Sequence, residues 1–370
     1  MKKINPQRVQ SDRRTFLRRF SAGTAGLAAC SLLKSGNAPA RTASTGPARV
    51  SLVTEKDQRA ASFKALKPLE DEIGQAVEGK QVIIKVNMGQ VRKDLWLNAT
   101  DVNFVRGILD FLKPIYSKKV ILAESTAAGA QSTMVGFENF GYMPLPKEYR
   151  EMRVKFVDLN DRPATTQWIL GDTFHPLGID IIDTYLDPSV YLISATRLKT
   201  HDNILATLSL KNVVMSAPIN RYKQKSREGR NEKPKMHSGG NRGLSYNMFL
   251  LAKMGVHPDC SVLDGVVGMQ GDGPVSGPPI EHGVALASTD WLAADRLGVE
   301  LMGIDYREVK YLQWCAEAGL GSDDLSNITV IGPDYKKHIV TYKLHSNIET
   351  QREWVRNDYG ASTCDRGTGL

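Results

Sequence analysis

Ser189-VYLISATRLKTHDNILATLSLKNVV-Met215 is the stretch around which the rest of this 370-residue chain is organised. Val190 to Ala195 is an apolar run rich in strand-forming residues, and the polar sequence Thr196-Arg-Leu-Lys-Thr-His201-Asp-Asn follows it directly. The pattern predicts a buried strand over 190–195 that ends in a loop crowded with hydrogen-bond donors. In an open α/β sheet, ligands bind at such strand ends. Apolar residues then recur at 204, 205, 208, 210, 213 and 214, which predicts a helix returning Lys211 and Asn212 to the same loop. Lys199, His201 and Lys211 are thereby gathered around one crevice.

Strand-like and helix-like segments alternate on either side. Asp57 to Val77 is helical in pattern with an interruption at Pro68, and Gln81 to Val86 (QVIIKV) is a buried strand. Val102 to Lys113 follows as a helix with Asp101 near its start, then strands at Lys119 to Ala123 and Val154 to Val157. Further on, Cys260 to Leu263, Val284 to Ala287 and Ile328 to Ile331 are short strands, with helices at Gly243 to Met254, Trp291 to Met302 and Arg307 to Ala318. This rhythm predicts an α/β fold with a mostly parallel, Rossmann-like sheet flanked by helices, in one large domain or two packed lobes. Each early strand ends in polar residues: Lys85-Val-Asn87-Met-Gly89, Glu124-Ser-Thr-Ala-Ala-Gly129 and Asp158-Leu-Asn160-Asp161. They are read as walls of the crevice, although small polar residues after strands are also ordinary turn chemistry. Lys85, a cation at the end of an apolar strand, calls for an acidic or ligand partner.

RLKTH with KN ten residues on, GDGP at Gly271 to Pro274 and STDWLAAD from Ser288 to Asp295 resemble the domain of unknown function 362 family over roughly residues 80–300. The resemblance implies that the Lys85/Asn87 segment, Glu124, Asp264, Gly271 and Gly273 belong to the family's pattern, and that a histidine is expected near His237. It implies no particular activity. Many relatives carry paired ferredoxin-type cysteine runs for iron–sulfur clusters; this chain has none, so electron transfer by that route is not expected.

The first forty residues are an address. Asp12-Arg-Arg-Thr-Phe-Leu-Arg18 looks like the twin-arginine export motif, and the uncharged stretch Phe20 to Leu33 is too short and too weakly apolar to span a bilayer. Ala38-Pro-Ala40 has the form of an ordinary signal peptidase site, while Leu27-Ala-Ala-Cys30 looks like a lipobox that would leave a lipid at Cys30; the first is preferred. The protein is therefore expected in the periplasm or outside the cell, meeting the membrane only during export unless lipidated. Residues 1–40 hold eight Lys or Arg and one Asp, so the formal charge of +8 falls to +1 for a chain beginning at Arg41. The basic pI gives no ground for a nucleic-acid partner. Of the cysteines, Cys260, Cys315 and Cys364 remain after cleavage, widely spaced, and no C-x-x-C appears.

Residues 217–242 hold eight Lys or Arg against two Glu and end near Ser238-Gly-Gly240, the pattern of a long basic surface loop or lid. Gly268 to Pro279 packs four glycines and three prolines into twelve residues, which argues against regular structure and suggests backbone N–H groups facing an anion, or a tight turn. Ser288-Thr-Asp290 is read as a helix N-cap and residues 351–370 as a polar tail. His201, His237, His282 and Asp264 show no known metal-ligand spacing, so no metal is expected, and the sequence names no cofactor. Two functions remain open. One is an exported enzyme acting on a small anionic substrate, with Lys199 and Lys211 binding and polarising a carboxylate or phosphate, His201 as acid or base and Asn212 orienting it; Lys85, Asn87, Glu124, Thr200, His237, Asp264, Gly271 and Gly273 complete the ligand site. The other is a non-catalytic ligand- or cofactor-binding accessory protein using the same crevice.

Overall fold

The computed structural model describes residues 47–129, 131–223 and 226–362; the export segment with Cys30, and Cys364, lie outside them. Eleven strands occur among the described residues: β1 Arg49–Thr54, β2 Gln81–Lys85, β3 Ile121–Glu124, β4 Lys155–Asp158, β5 Ala164–Leu170, β6 Pro176–Ile182, β7 Val190–His201, β8 Leu205–Thr207, β9 Cys260–Met269, β10 Pro279–Ser288 and β11 Thr329–Ile331. Nine form one sheet in the order β11-β1-β10-β9-β7-β2-β3-β4, with β8 added to β7, and β5 and β6 form a separate hairpin. β9, β7, β2, β3 and β4 run parallel, so their carboxyl ends share one edge. The mostly parallel α/β sheet expected from the sequence is present. Within this sheet antiparallel pairing is confined to β10 with β1 and β9, and to β8 with β7.

Strands such as Val82-Ile83-Ile84 are apolar throughout because both faces of the sheet are covered. Ala61, Ala65, Phe104, Ile108 and Phe111 pack with Val82, Ile84, Tyr191 and Ile193 on one face. Leu210, Val213, Leu244, Met248 and Leu297 pack with Ile83 and Leu192 on the other. The chain leaves β2 for β3 and β4 in one direction, then returns to place β7 and β9 on β2's other side. The helix Val102–Leu112 after β2 and the helix Ser209–Val214 after β7 accordingly lie on opposite faces. Such a reversal opens a crevice at the carboxyl ends of the two strands, here between Lys85 and the end of β7.

Four expectations need correction. β7 does not stop at Ala195: it runs through Thr196, Arg197, Lys199 and Thr200 to His201, buried along its whole length. β2 ends opposite Ser194, and beyond that point β7 is held by β8 on one side and β9 on the other. The polar knot is thus strand, because its backbone still finds ladder partners. Second, residues 204–214 are not one helix: Leu205–Thr207 is strand, and only Ser209–Val214 is helical. Every residue from Ile204 to Val214 except Lys211 is buried, so the apolar spacing could not tell hairpin from helix.

Third, the basic segment 217–242 is only partly a surface loop. Ala217, Ile219, Asn220, Glu232, Lys233 and Met236 are buried, Lys233–His237 forms a 3-10 turn, and the next helix begins at Gly240. Fourth, the polar tail contains a helix, Ile348–Ser362, whose Gln351 is fully buried. Gln351 Nε2 donates to His201 O (2.8 Å), and Leu205 N donates to Gln351 Oε1 (2.8 Å), which fastens the β7–β8 turn. Asp290 is the N-cap expected, accepting from Leu292 N and Ala293 N.

Candidate functional site

The crevice at the β2/β7 reversal is a cavity of about 440 Å³. Lys85, Asn87, Glu124, His201, Lys211, Asn212 and His237 line it, as do Ser125, Ser216 and Lys233. Its wall is a closed hydrogen-bond network. Lys85 Nζ, fully buried, is 2.7 Å from Glu124 Oε1 and donates to Asn212 Oδ1 (2.8 Å) and Val86 O (2.6 Å). Glu124 also accepts from Met88 N (2.7 Å), Ser125 N (2.8 Å) and Ser216 Oγ (3.2 Å). Asn212 Oδ1 accepts from Asn87 Nδ2 (3.0 Å), and its Nδ2 donates to Ser194 Oγ (3.0 Å). The acidic partner that Lys85 called for is therefore Glu124, and neither group has capacity left for a ligand.

Lys233 has the same character. Its Nζ donates to Ser125 Oγ, Met215 O and Ser216 O, each at 3.1 Å, tying the end of the basic segment to the turn after β3. Burial pulls its pKa down to about 7, Glu124 opposing and Lys85 reinforcing the shift. Three acceptors for three donors nevertheless suit the ammonium form. Nothing in the sequence separated Lys233 from its seven basic neighbours, since a run without periodicity carries no sign of which member turns inward.

Lys211 is the exception. It projects from the second turn-forming position after Ser209, partly exposed to the cavity, and its Nζ makes no hydrogen bond or ion pair among the described residues. Burial lowers its pKa to about 8, with Lys85 adding to the fall and Asp202 resisting it. Ser209 N and Leu210 N are fixed by Asp295 Oδ1 and Oδ2 at 2.8 and 2.9 Å, so the helix carrying Lys211 is anchored from behind.

His201 closes the far side. Its Nδ1 end is occupied locally, with Asn203 N donating at 3.0 Å and Asp202 Oδ1 also 3.0 Å away, so Nε2 is the nitrogen left for the cavity. Burial, then Lys211 and His237, hold its pKa well below the usual imidazole range. The ring is therefore neutral at pH 7, and with Nδ1 accepting from Asn203 N its one hydrogen sits on Nε2, which can donate a hydrogen bond into the cavity. His237 lies at the mouth, exposed to solvent, its pKa lowered by partial desolvation at the cavity rim and by Lys211.

Five of the expected site residues do not line the cavity, nor does the Asp158 to Asp161 loop that was expected to wall it. Lys199 lies behind the wall, donating to Asn87 Oδ1 (2.5 Å) and Asn98 O (2.7 Å), and burial pushes its pKa well below the usual lysine range. Thr200, on the other face of β7, donates to Gly271 O (2.8 Å). Asp264 is buried against Arg197 at 3.3 Å, on the face packed by the Val102–Leu112 layer, and burial raises its carboxyl to about 6 despite Arg197. Strand alternation turned it away. Gly271 N donates to Lys343 O (2.5 Å) and Gly273 N to Gly271 O (2.8 Å), so these N–H groups are already used rather than facing an anion. A Cβ on Gly273 would stand 2.3 Å from Thr200 O: the glycine is there for close packing, and the loop reaches the cavity only through Pro274 and Val275.

The domain of unknown function DUF362 matches residues 82–300, which takes in every residue of this cavity. The chain belongs to the DUF362 family. A thylakoid-associated protein of Synechocystis sp. is 26% identical over 187 residues, half of this chain; the chain spans about half the length of that relative, 52%. A protein of Thermotoga maritima with a solved structure aligns at TM-score 0.37 and 11% identity, over 62% of this chain and 55% of its own. Among the described residues no helix is long and apolar enough to cross a membrane. The family match ends before Gln351, so the helix that fastens His201 comes from outside the matched region.

Proposed function

We propose that this DUF362 protein is an exported enzyme acting on a small anionic substrate held in the β2/β7 cavity. The observation that carries the proposal is Lys211: a cation at a cavity wall with no partner among the described residues, beside two further lysines and one carboxylate that is already saturated. A carboxylate or phosphate supplies the missing partner, and charge-assisted hydrogen bonds to it are worth about 1.5–3 kcal/mol each. His201, neutral and with Nδ1 accepting from Asn203 N, presents its Nε2–H to the cavity as a hydrogen-bond donor to the substrate. Lys199 and Asn212 act by fixing Asn87 and Lys85, not by touching substrate.

The test is thermal melting of wild type and Lys211→Met at low ionic strength against a panel of carboxylates and phosphates, followed by product analysis for whichever binds. A ligand at a hundred times its Kd stabilises the folded state by about 2.7 kcal/mol, and the variant should lose that gain. Equal stabilisation of both proteins, or of neither, would refute an anion site at Lys211. A second assignment, a non-catalytic ligand-binding protein, is favoured by the mutual saturation of Lys85, Glu124 and Asn212; binding without turnover of any stabilising compound would select it.

Residues 1–40 are proposed to direct twin-arginine export to the periplasm or beyond. Arg13→Lys with Arg14→Lys should leave the precursor in the cytoplasm, and normal export of that variant would rule the signal out. A mature N terminus at Cys30 bearing lipid would instead show the lipobox to be the processing site.

A further inference from the structure

Four lysines lie at or behind the cavity wall, three of them buried and Lys211 half-buried, and they differ in their partners. Lys85 and Lys233 each give three N–H groups to neighbouring oxygens, an arrangement that suits the ammonium form and leaves no lone pair to react, and Lys199, bonded to Asn87 Oδ1 and Asn98 O, lies behind the wall away from the cavity. Lys211 has no such acceptor among the described residues, faces open volume, and sits where Lys85 and burial both disfavour its charge. That is the environment in which a lysine becomes a nucleophile.

We propose that Lys211 is an imine-forming amine, and that the substrates are small carbonyl compounds also bearing a carboxylate or phosphate. This rests on the anion site proposed above and narrows its ligand class. The neutral amine adds to the carbonyl carbon; the C=O π pair moves to oxygen, where the Nε2–H of His201 donates a hydrogen bond to the developing charge, and the proton released by nitrogen is taken up by that oxygen. The resulting carbinolamine takes up one further proton and expels water, so amine, carbonyl compound and H⁺ give iminium and water. The lysine's positive charge is conserved in the iminium, and the substrate's anionic group offsets the cationic lining, which explains why the carbonyl and the anion belong on one molecule. With a pKa of about 8 the amine is neutral in roughly one molecule in ten at pH 7. An ordinary lysine reaches only about one in several thousand. A cavity of about 440 Å³ suits compounds of a few carbons.

The experiment uses the full chain incubated with pyruvate or glyoxylate, reduced with sodium borohydride, digested and mapped by mass spectrometry. Thermal melts with pyruvate, acetate and phosphate are run in parallel. The expected result is one dominant reduced adduct on Lys211, increasing from pH 6 towards pH 9, suppressed by excess phosphate and absent after heat denaturation. Adducts spread over exposed lysines, or centred on Lys233, would overturn the assignment. Lys211→Arg keeps the charge and should keep anion-induced stabilisation while losing the adduct; because the labelled residue is read directly in wild type, the conclusion does not depend on how that variant folds. Stabilisation by all three anions without trapping sinks the imine and leaves the anion site standing. Trapping at Lys211 with no anion-induced stabilisation does the reverse.

Discussion

Lys85→Met and Lys211→Met should have opposite effects on stability, although both remove a lysine from the same cavity. Lys85 Nζ is fully buried and within 2.6–2.8 Å of Glu124, Asn212 and Val86 O, so its loss strands a buried carboxylate. Breaking a buried pair from one side costs about 3–5 kcal/mol. Glu124 keeps Met88 N, Ser125 N and Ser216 Oγ, which places the expected loss towards 3 kcal/mol, a fall of about 4–5 °C in Tm for a chain of this size. Lys211 strands nothing, and its removal relieves repulsion on Lys199 and His201. Its methionine variant should melt at or above the wild-type temperature in ligand-free buffer. Adding Glu124→Gln to Lys85→Met should recover at least half of the loss, since no buried charge is then left. Differential scanning calorimetry of the four proteins checks all of this. If Lys211→Met is the more damaging change, or Lys85→Met is neutral, the division between a structural and a ligand-facing lysine is wrong.

The pH dependence follows from the same lysine: its folded pKa of about 8 lies below the ordinary lysine value of 10.5, so between those values the unfolded chain holds a proton that the folded chain has released. Wild type should therefore gain stability relative to Lys211→Met as pH rises from 8 to 10.5, with the difference constant below 8, as measured by urea titration. Gly273→Ala drives a methyl against Thr200 O, 2.3 Å away, and should cost about 1–3 kcal/mol while weakening anion-induced stabilisation through Pro274 and Val275; an unperturbed melt would show the loop free to yield. Gln351→Ala removes the bonds to His201 O and Leu205 N at a cost of about 1–3 kcal/mol, and the His201 ring signals should shift in NMR spectra where a remote helix contact would leave them unmoved.

The amino-acid sequence by itself determined the parallel strands, their polar carboxyl ends, the helix start at Asp101 and the cap at Asp290, because continuous apolar runs and turn chemistry act over a few neighbouring residues. It also marked Lys85 as needing a partner, since a charge ending an apolar strand is costly wherever the chain goes. What it left open was which cations are already satisfied. Asn212 lies 127 positions from Lys85, and Ser125 lies 108 from Lys233, so the saturation of each lysine was settled only when the order of β7, β2 and β3 brought those segments together. The same holds for Asp264, turned towards Arg197 by the alternation of β9, and for β8, whose apolar residues fit a helix equally well until β7 offered an unpaired edge. Local pattern sets backbone state; the free valence of a buried polar group is a property of neighbours that only packing supplies.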